Sequence, residues 1–439
     1  MTCFFVVVVA CSLFGNTDAQ NASPLGLLCF AMDNPLERAA CGNRADSQCL
    51  LERMRKFKNV DYTGTSRCTT NAVSRVSMAT LKEKLKSNCP NSKSSKSNTI
   101  WIATQVKNDA QSVIEWLVWH FLLGVDHALI YDNESKDNLK AALKPFIEEG
   151  FVEMFYHPGI GMQAEAFTDA LARAKRDKVV WLAAIDTDEY IAPYEDGCIP
   201  EFTKRFVDQE HVGGVRLNWQ YVTAMGKIWR WDNGVLDQTM LERTGFYTGR
   251  GEMHVKTIAR VDRTINFIDP HYANHTSGHY PIGPDTGLKG RYHFTFPPET
   301  KRAVLLHMHV RTLEEWIIKR QRGRGSMKTN HCPYCNATLE VLTQEWYCLN
   351  TAGYGLSQKT YGNKCKDNKR APYLTAAVSN WDITNNLPLS EFLRKQSNLM
   401  NLVLVMPIEN RATALRDLKE PHHALVPRSD NENKALLRG

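Results

Sequence analysis

Residues 179–189 read VVWLAAIDTDE, seven consecutive apolar positions followed by three carboxylates within four residues. An unbroken apolar run of this length suits a strand covered on both faces, as in a parallel sheet flanked by helices. The charges begin where such a strand leaves the core. Parallel α/β sheets bind their ligands outside the carboxyl ends of the strands, so this stretch speaks to both the fold and the site.

The same rhythm extends upstream. Residues 99–105 (TIWIATQ) are a β-branched and aromatic run suited to a buried strand. Ile114, Leu117, Val118 and Phe121 then fall at i, i+3, i+4 and i+7, one face of a helix. Residues 128–131 (ALIY) predict a second strand ending at Asp132. Leu139, Ala142, Leu143, Phe146 and Ile147 form another helical stripe, stopped by Gly150, although Pro145 argues against a straight helix. Residues 151–156 read as a third strand, 164–175 as a helix, and 179–185 as the fourth strand. Crossovers of this size predict an α/β fold with a parallel sheet and helices on both faces.

Composition agrees with a globular chain. Of 439 residues, 43% are hydrophobic and 23% charged, which excludes a disordered chain, and 26 Gly and 18 Pro exclude a collagen-like one. A net charge of +7 is a mild excess that favours phosphate-bearing partners and gives little support to nucleic acid.

Residues 3–14 (CFFVVVVACSLF) are continuously apolar but shorter than the roughly 20 residues that span a bilayer. They read as the core of a signal peptide over 1–19, with Thr17 and Ala19 before the cleavage point, or as a short uncleaved anchor, the one route to membrane attachment. Either implies the secretory pathway lumen, Golgi or endoplasmic reticulum, or secretion. Ten cysteines follow residue 19, five before residue 100 and five after, so complete pairing requires at least one bridge between the two groups. Cys332, Cys335, Cys348 and Cys365 also have the makings of a zinc site. Asn21, Asn133, Asn274 and Asn336 head glycosylation sequons. The expected organisation is a disulfide-stapled, Cys-rich stem or linker at 20–98, a catalytic domain at 99–330, a Cys-containing extension at 331–417 and a disordered tail at 418–439.

Asp186 and Asp188, one residue apart at a strand end, can converge on one hard divalent cation, Mg²⁺ or Mn²⁺. Asp132 closes another strand and suits a contact to a nucleoside, whereas Asp137 suits a helix cap. His307 and His309 alternate on one face of an expected strand and can complete a metal site or bind phosphate. Arg311, Lys319, Arg320, Arg322 and Arg324 can clamp phosphates or form a solvated basic face. Residues 159–164 match G-x-G-x-x-A with Asp186 further on, a dinucleotide fingerprint, but after the third strand rather than the first. A plain glycine turn is the other reading. P-loop and α/β-hydrolase motifs are missing from the sequence.

Taken in order, further blocks resemble the glycosyltransferases of family 92 and the family-2-like enzymes. They are Lys107-Asn-Asp109, Glu115-Trp116, His120, Gly124-Val-Asp-His127, Tyr131-Asp-Asn-Glu-Ser-Lys-Asp137, Gln163 and Asp186-Thr-Asp-Glu-Tyr190. Leu217-Asn-Trp219, Glu242-Arg243, Val255-Lys256-Thr257, Pro270-His271 and the run from His307 to Gly323 follow. The resemblance spans about residues 99–325, with Asp109 for Glu, Tyr190 and Trp316 for Phe, and Met308 for Tyr. It implies a GT-A-type α/β fold with a mixed, mostly parallel sheet. It also implies transfer of a sugar from a nucleotide-diphosphate donor, a UDP-sugar, to a glycan or glycoprotein hydroxyl with inversion. Carried over, Asp109 and Asp132 would contact the nucleotide, Gln163, Lys256, His271 and Arg311 the diphosphate or sugar, and Asp186, Asp188 and His307 a Mn²⁺ ion. Glu242 and Asp269 are the candidate catalytic bases. A dinucleotide-dependent oxidoreductase and a non-catalytic carbohydrate-binding protein on this scaffold are the alternatives.

Overall fold

The computed structural model describes residues 75–90, 98–223, 253–290, 293–295, 297–312, 315–316, 319–320 and 387–405. The expected strands and helices form close to the expected places. β2 (Ile100–Val106), β3 (His127–Asp132), β4 (Val152–Tyr156) and β5 (Trp181–Ala184) run parallel, in the spatial order β4-β3-β2-β5. They are linked by α2 (Ala110–Leu122), α3 (Leu139–Glu148) and α4 (Gln163–Arg176). Pro145 lies within α3 without ending it. Asp137 caps as expected and does so twice, accepting the amides of Ala110 and Leu139 at 2.9 and 3.3 Å.

Beyond β5 the sheet becomes mixed. β8 (Val255–Arg260) pairs antiparallel with both β5 and β7 (Val212–Thr223), and β12 (Val304–Val310) runs parallel to β7. β11 (Tyr280–Ile282) also joins β7, in parallel. β6 (Glu189–Ala192) closes the far end, antiparallel to β12, in register from Val304↔Ala192 to His307↔Glu189.

That last pairing bends the whole sheet. β6 follows β5 by a tight turn in which the Glu189 amide donates to the Asp186 carbonyl at 3.0 Å, yet β8, β7 and β12 stand between the two strands. Four strand steps of about 4.8 Å would separate them by about 19 Å in a flat sheet. Such a turn brings its ends to within about 7 Å, so the sheet must curl. The Asp-Thr-Asp sequence thereby comes to lie in the mouth of the curl, at the carboxyl ends of β2, β3 and β5.

Buried aromatics hold this geometry. Trp116 and Trp119 of α2 donate their indole N–H groups to the carbonyls of Glu189 and Ile191 at 2.9 and 2.8 Å, fastening the helix under β6. His120 accepts the Ile191 amide at Nε2 and donates from Nδ1 to the Trp116 carbonyl. On the outer side of α2 pack α1 (Met78–Asn88) and α6 (Leu387–Val403), while β1 (Arg75–Val76) pairs antiparallel with β13 (Leu404–Val405). Cys89 and Cys198 form a disulfide, a bridge of the kind the cysteine count demands, linking the segment before residue 100 to the short α5 (Ile199–Lys204). Gly124, at φ +92°, leaves room for it: a Cβ there would lie 2.8 Å from the Cys89 sulfur. A hairpin of β9 (Thr264–Asp269) and β10 (Tyr272–His275) packs against α4 through Phe167 and Phe267, whose rings lie 5.8 Å apart. Among the described residues, no helix is long and apolar enough to cross a membrane. The apolar leader, the other eight cysteines, and the sequons at Asn21 and Asn336 lie outside the described residues. Asn133 is buried and donates its amide to the carbonyls of His157 and Gly159 at 2.9 and 2.8 Å, so this sequon offers no accessible acceptor.

Candidate active site

Three carboxylates at the mouth of the curl are matched with cations. Asp186, directly after β5, receives the Nζ of Lys256 at 3.0 Å on one oxygen and the Gln163 amide on the other. Lys256 is buried on β8 and lies 3.3 Å from Glu189 as well. Burial alone would lower its pKa, but Asp186 and Glu189 hold it raised, so it stays charged.

Glu189 is fully buried. Its two oxygens accept the Trp219 indole N–H at 2.7 Å and the Asp186 amide at 2.8 Å. Burial pushes its carboxyl up to about 8, with Lys256 opposing and the two aspartates adding to the rise. It is the floor of the site.

Asp188 turns the other way. Its Oδ2 meets the Lys319 ammonium and lies 3.5 Å from His307 Nε2. Burial favours its neutral form, but Lys319 and His307 overcome this and hold it well below the usual carboxylate range. The β12 backbone is tied to the same loop, since the Met308 amide donates to the Asp188 carbonyl at 2.8 Å. The alternation expected of β12 puts His307 and His309 on this side together. Ligand atoms of Asp188, His307 and His309 all lie within 4.8 Å of one another.

Both imidazoles are kept neutral by burial, His309 more strongly because Lys319 and His307 add to the effect. One carboxylate and two neutral imidazoles form a donor set able to hold a divalent transition ion. Asp186 and Asp188 were expected to share the ion. Only Asp188 is in the cluster; the carboxylate of Asp186 is taken by Lys256 and Gln163.

Asp109, at the start of α2, accepts the Thr187 hydroxyl at 2.7 Å and lies 3.5 Å from Arg311. Arg311 also donates to the Ser112 hydroxyl at 2.5 Å and the Thr187 carbonyl at 3.0 Å. Burial works against its charge, while Asp109 and Glu315 raise its pKa. These two residues brace the Asp-Thr-Asp loop from behind. Arg320 lies over the Trp316 ring, 4.2 Å from its centroid. Asp132 is half-buried at the end of β3 and accepts the Ser135 amide at 2.8 Å, which shapes the adjoining turn. The glycine motif forms the turn between the edge strand β4 and α4, with Gly159 and Gly161 at φ +114° and +70°.

Trp219 links the cation site to the β9–β10 side. Its ring lies 4.2 Å from His307, 4.9 Å from His254 and 5.1 Å from His271. His271 donates from Nδ1 to the Val255 carbonyl at 3.2 Å, and burial with Lys256 nearby lowers its pKa to about 2. Asp269 accepts the amides of His271 and Tyr272 at 2.6 and 3.0 Å, and its other oxygen lies 3.2 Å from His293. Glu242, Arg322 and Arg324 lie outside the described residues. Glu189 and Trp219 belong to the site although the sequence assigned them no role in it, whereas His309 and Lys319 were already candidates for a metal site and a phosphate clamp. Trp219 carried only its place in a motif, and Glu189 read as the end of an acidic turn until the curl buried it.

Comparison with known proteins places these residues in context. A model of glycosyltransferase family 92 matches residues 99–340, more than half of the chain. A family 92 protein of Oryza sativa subsp. japonica is 25% identical over 122 residues, 28% of this chain and 21% of that protein. One of Arabidopsis thaliana is 30% identical over 99 residues, 22% and 17% of the two chains. The matched segments thus span about a fifth of those relatives' length. Among solved structures, S. aureus TarS 1-349 in complex with UDP is 11% identical, with 69% of this chain and 90% of that one covered at a TM-score of 0.26. Glucosyl-3-phosphoglycerate synthase from Mycobacterium tuberculosis, in complex with Mn²⁺, UDP and glucosyl-3-phosphoglycerate, is 17% identical, with 32% and 48% covered and a TM-score of 0.21. With the family model covering the curled sheet and the whole Asp-Thr-Asp loop, the chain belongs to glycosyltransferase family 92.

Proposed function

We propose that this chain is a metal-dependent glycosyltransferase that moves a sugar from a UDP-sugar to a hydroxyl of a glycan or glycoprotein, with inversion at the anomeric carbon. The observation that carries the reading is the convergence of Asp188, His307 and His309 beside a lysine-neutralised Asp186 at the carboxyl ends of the strands. A divalent cation, Mn²⁺ in our reading, would be held by those three residues and would supply charge neutralisation for a departing diphosphate. Asp132 lies where a nucleoside would be gripped, and Asp109 supports the loop through Thr187. Lys256 and Gln163 fix the Asp186 carboxylate toward the donor. Asp269 is our assignment for the base, because two backbone amides hold it and it remains a third exposed. The Cys89–Cys198 disulfide supports a lumenal or secreted location.

The oxidoreductase alternative needs its glycine turn after the first strand of the nucleotide-binding unit. Here the turn follows the edge strand, so this reading loses its support.

The test is calorimetric titration with UDP, with and without Mn²⁺, on wild type and Asp188→Ala. Binding that requires Mn²⁺ and is lost in the variant is the expected outcome. Metal-independent UDP binding would refute the metal assignment, and sugar binding without any nucleotide binding would favour a non-catalytic carbohydrate-binding protein.

A further inference from the structure

Each aspartate around the mouth has a cation of its own: Arg311 for Asp109, Lys256 for Asp186 and Lys319 for Asp188. The three cations are not equivalent. The side chains of Lys256 and Arg311 are 1% and 5% exposed, whereas that of Lys319 is 24% exposed. Withdrawing either of the first two would strand a buried charge, which is strongly unfavourable. Lys319 alone of the three has a side chain partly in water and a flexible stem on which to turn outward, once another cation has taken over the buried Asp188.

Its position puts it in competition with a divalent ion for Asp188. The ammonium is bonded to the Asp188 oxygen that faces His307, and also donates to the His309 carbonyl at 3.0 Å. It therefore sits on the carboxylate oxygen that a divalent ion in the triad would approach, and two positive charges that close together repel each other. The chain shortly before Lys319 is tied down. The Thr312 hydroxyl donates to Glu315 at 2.8 Å, and the Trp316 amide donates to the Thr312 carbonyl at 2.9 Å.

We propose that Lys319 is a displaceable internal counter-ion, holding Asp188 until a divalent cation takes the carboxylate and then pairing with the diphosphate of the donor. The second half rests on the nucleotide-sugar reading above. A released ammonium at the rim of the cation site has the charge and reach to bind phosphate oxygens as a point charge. Lys319 then serves the donor as a binding residue in the loaded state and guards Asp188 in the unloaded one.

The test uses the full chain as wild type, Lys319→Met and Lys319→Arg, with folding checked by circular dichroism. Free Mn²⁺ is followed by electron paramagnetic resonance without nucleotide, and UDP is titrated at saturating Mn²⁺. The proposal expects Mn²⁺ to bind K319M at least about tenfold more tightly than wild type, with K319R close to wild type. It expects UDP to bind Mn²⁺-saturated K319M at least about tenfold more weakly. Unchanged or weaker Mn²⁺ binding in K319M overturns the exchange, as does equal tightening in K319R. Unchanged UDP affinity in K319M overturns the phosphate role. Failure of UDP to bind wild type at saturating Mn²⁺ refutes the donor reading itself, while the Mn²⁺ comparison still decides the exchange.

Discussion

Lys256 is the residue on which the electrostatics of the mouth turn. It meets Asp186 at 3.0 Å and Glu189 at 3.3 Å from a side chain that is 1% exposed. Above about pH 8, where Glu189 is ionised, Lys256→Met keeps the stem but leaves two neighbouring carboxylates without their cation. Removing one partner of a buried pair costs about 3–5 kcal/mol, and urea unfolding should register a loss of that order. Adding Glu189→Gln should return part of it, because the amide carries no charge and can still accept the Trp219 N–H. A K256M variant as stable as wild type would show that Asp186 and Glu189 are not both ionised beside it. This pairing also explains the limit of a residue-by-residue reading of the loop. Spacing alone groups Asp186 with Asp188, whereas the fold gives each a different cation, from segments 70 and 131 residues away in sequence.

The elements nearest the site in sequence were the most legible. β2 to β5 and the helices between them depend on local periodicity, and each lies within about two residues of its expected span. The antiparallel return through β8 and β6 was not legible, because it rests on pairings between distant segments and on a four-strand curl that no short window contains. The curl is also what buries the acidic end of the loop and brings His307 opposite Glu189. Its fastening to α2 makes a prediction at this scale. His120 accepts from the Ile191 amide and donates to Trp116, so the ring must be neutral with its proton on Nδ1. Burial lowers its pKa to about 3, the Trp116 carbonyl opposing. The unfolded chain therefore binds a proton near pH 6.5 that the folded chain refuses, so stability is lost as pH falls below 6.5 and continues to fall toward 3. By pH 5 the loss from this residue is about 2 kcal/mol. Proton NMR of the ring should show no titration between pH 8 and 4.5. A titration midpoint near 6.5 would mean that α2 and β6 are not joined in this way.

At the scale of the whole molecule, the catalytic sheet depends on segments outside the family match. Residues 99–340 match the family, but α1 and α6 cover the outer side of α2 from positions before and after that region. α2 is buried almost throughout, so the sheet side alone cannot satisfy it. Leu81 and Leu85 on α1, and Leu389, Phe392, Leu393, Met400 and Val403 on α6, are among the buried side chains of this outer layer. The Phe392 and Trp119 rings lie 6.0 Å apart, edge to face, which extends the packing from α6 to the helix that holds β6. A chain begun at residue 99 loses α1, β1 and the Cys89–Cys198 link together. The link alone joins residues 109 apart, for which loop-closure entropy gives about 4–5 kcal/mol. Cys89→Ala with Cys198→Ala should therefore lower stability by several kcal/mol while leaving UDP binding intact below the new melting point, because neither cysteine touches the mouth. The truncated chain should fare worse, exposing the apolar surface of α2 and aggregating on expression. Thermal melts of the two forms, compared with the reduced wild type, separate the contribution of the bridge from that of the packing. If the chain begun at residue 99 melts as high as the double cysteine variant, α1 and β1 contribute nothing beyond the disulfide, and α6 covers the outer side of α2 sufficiently without them.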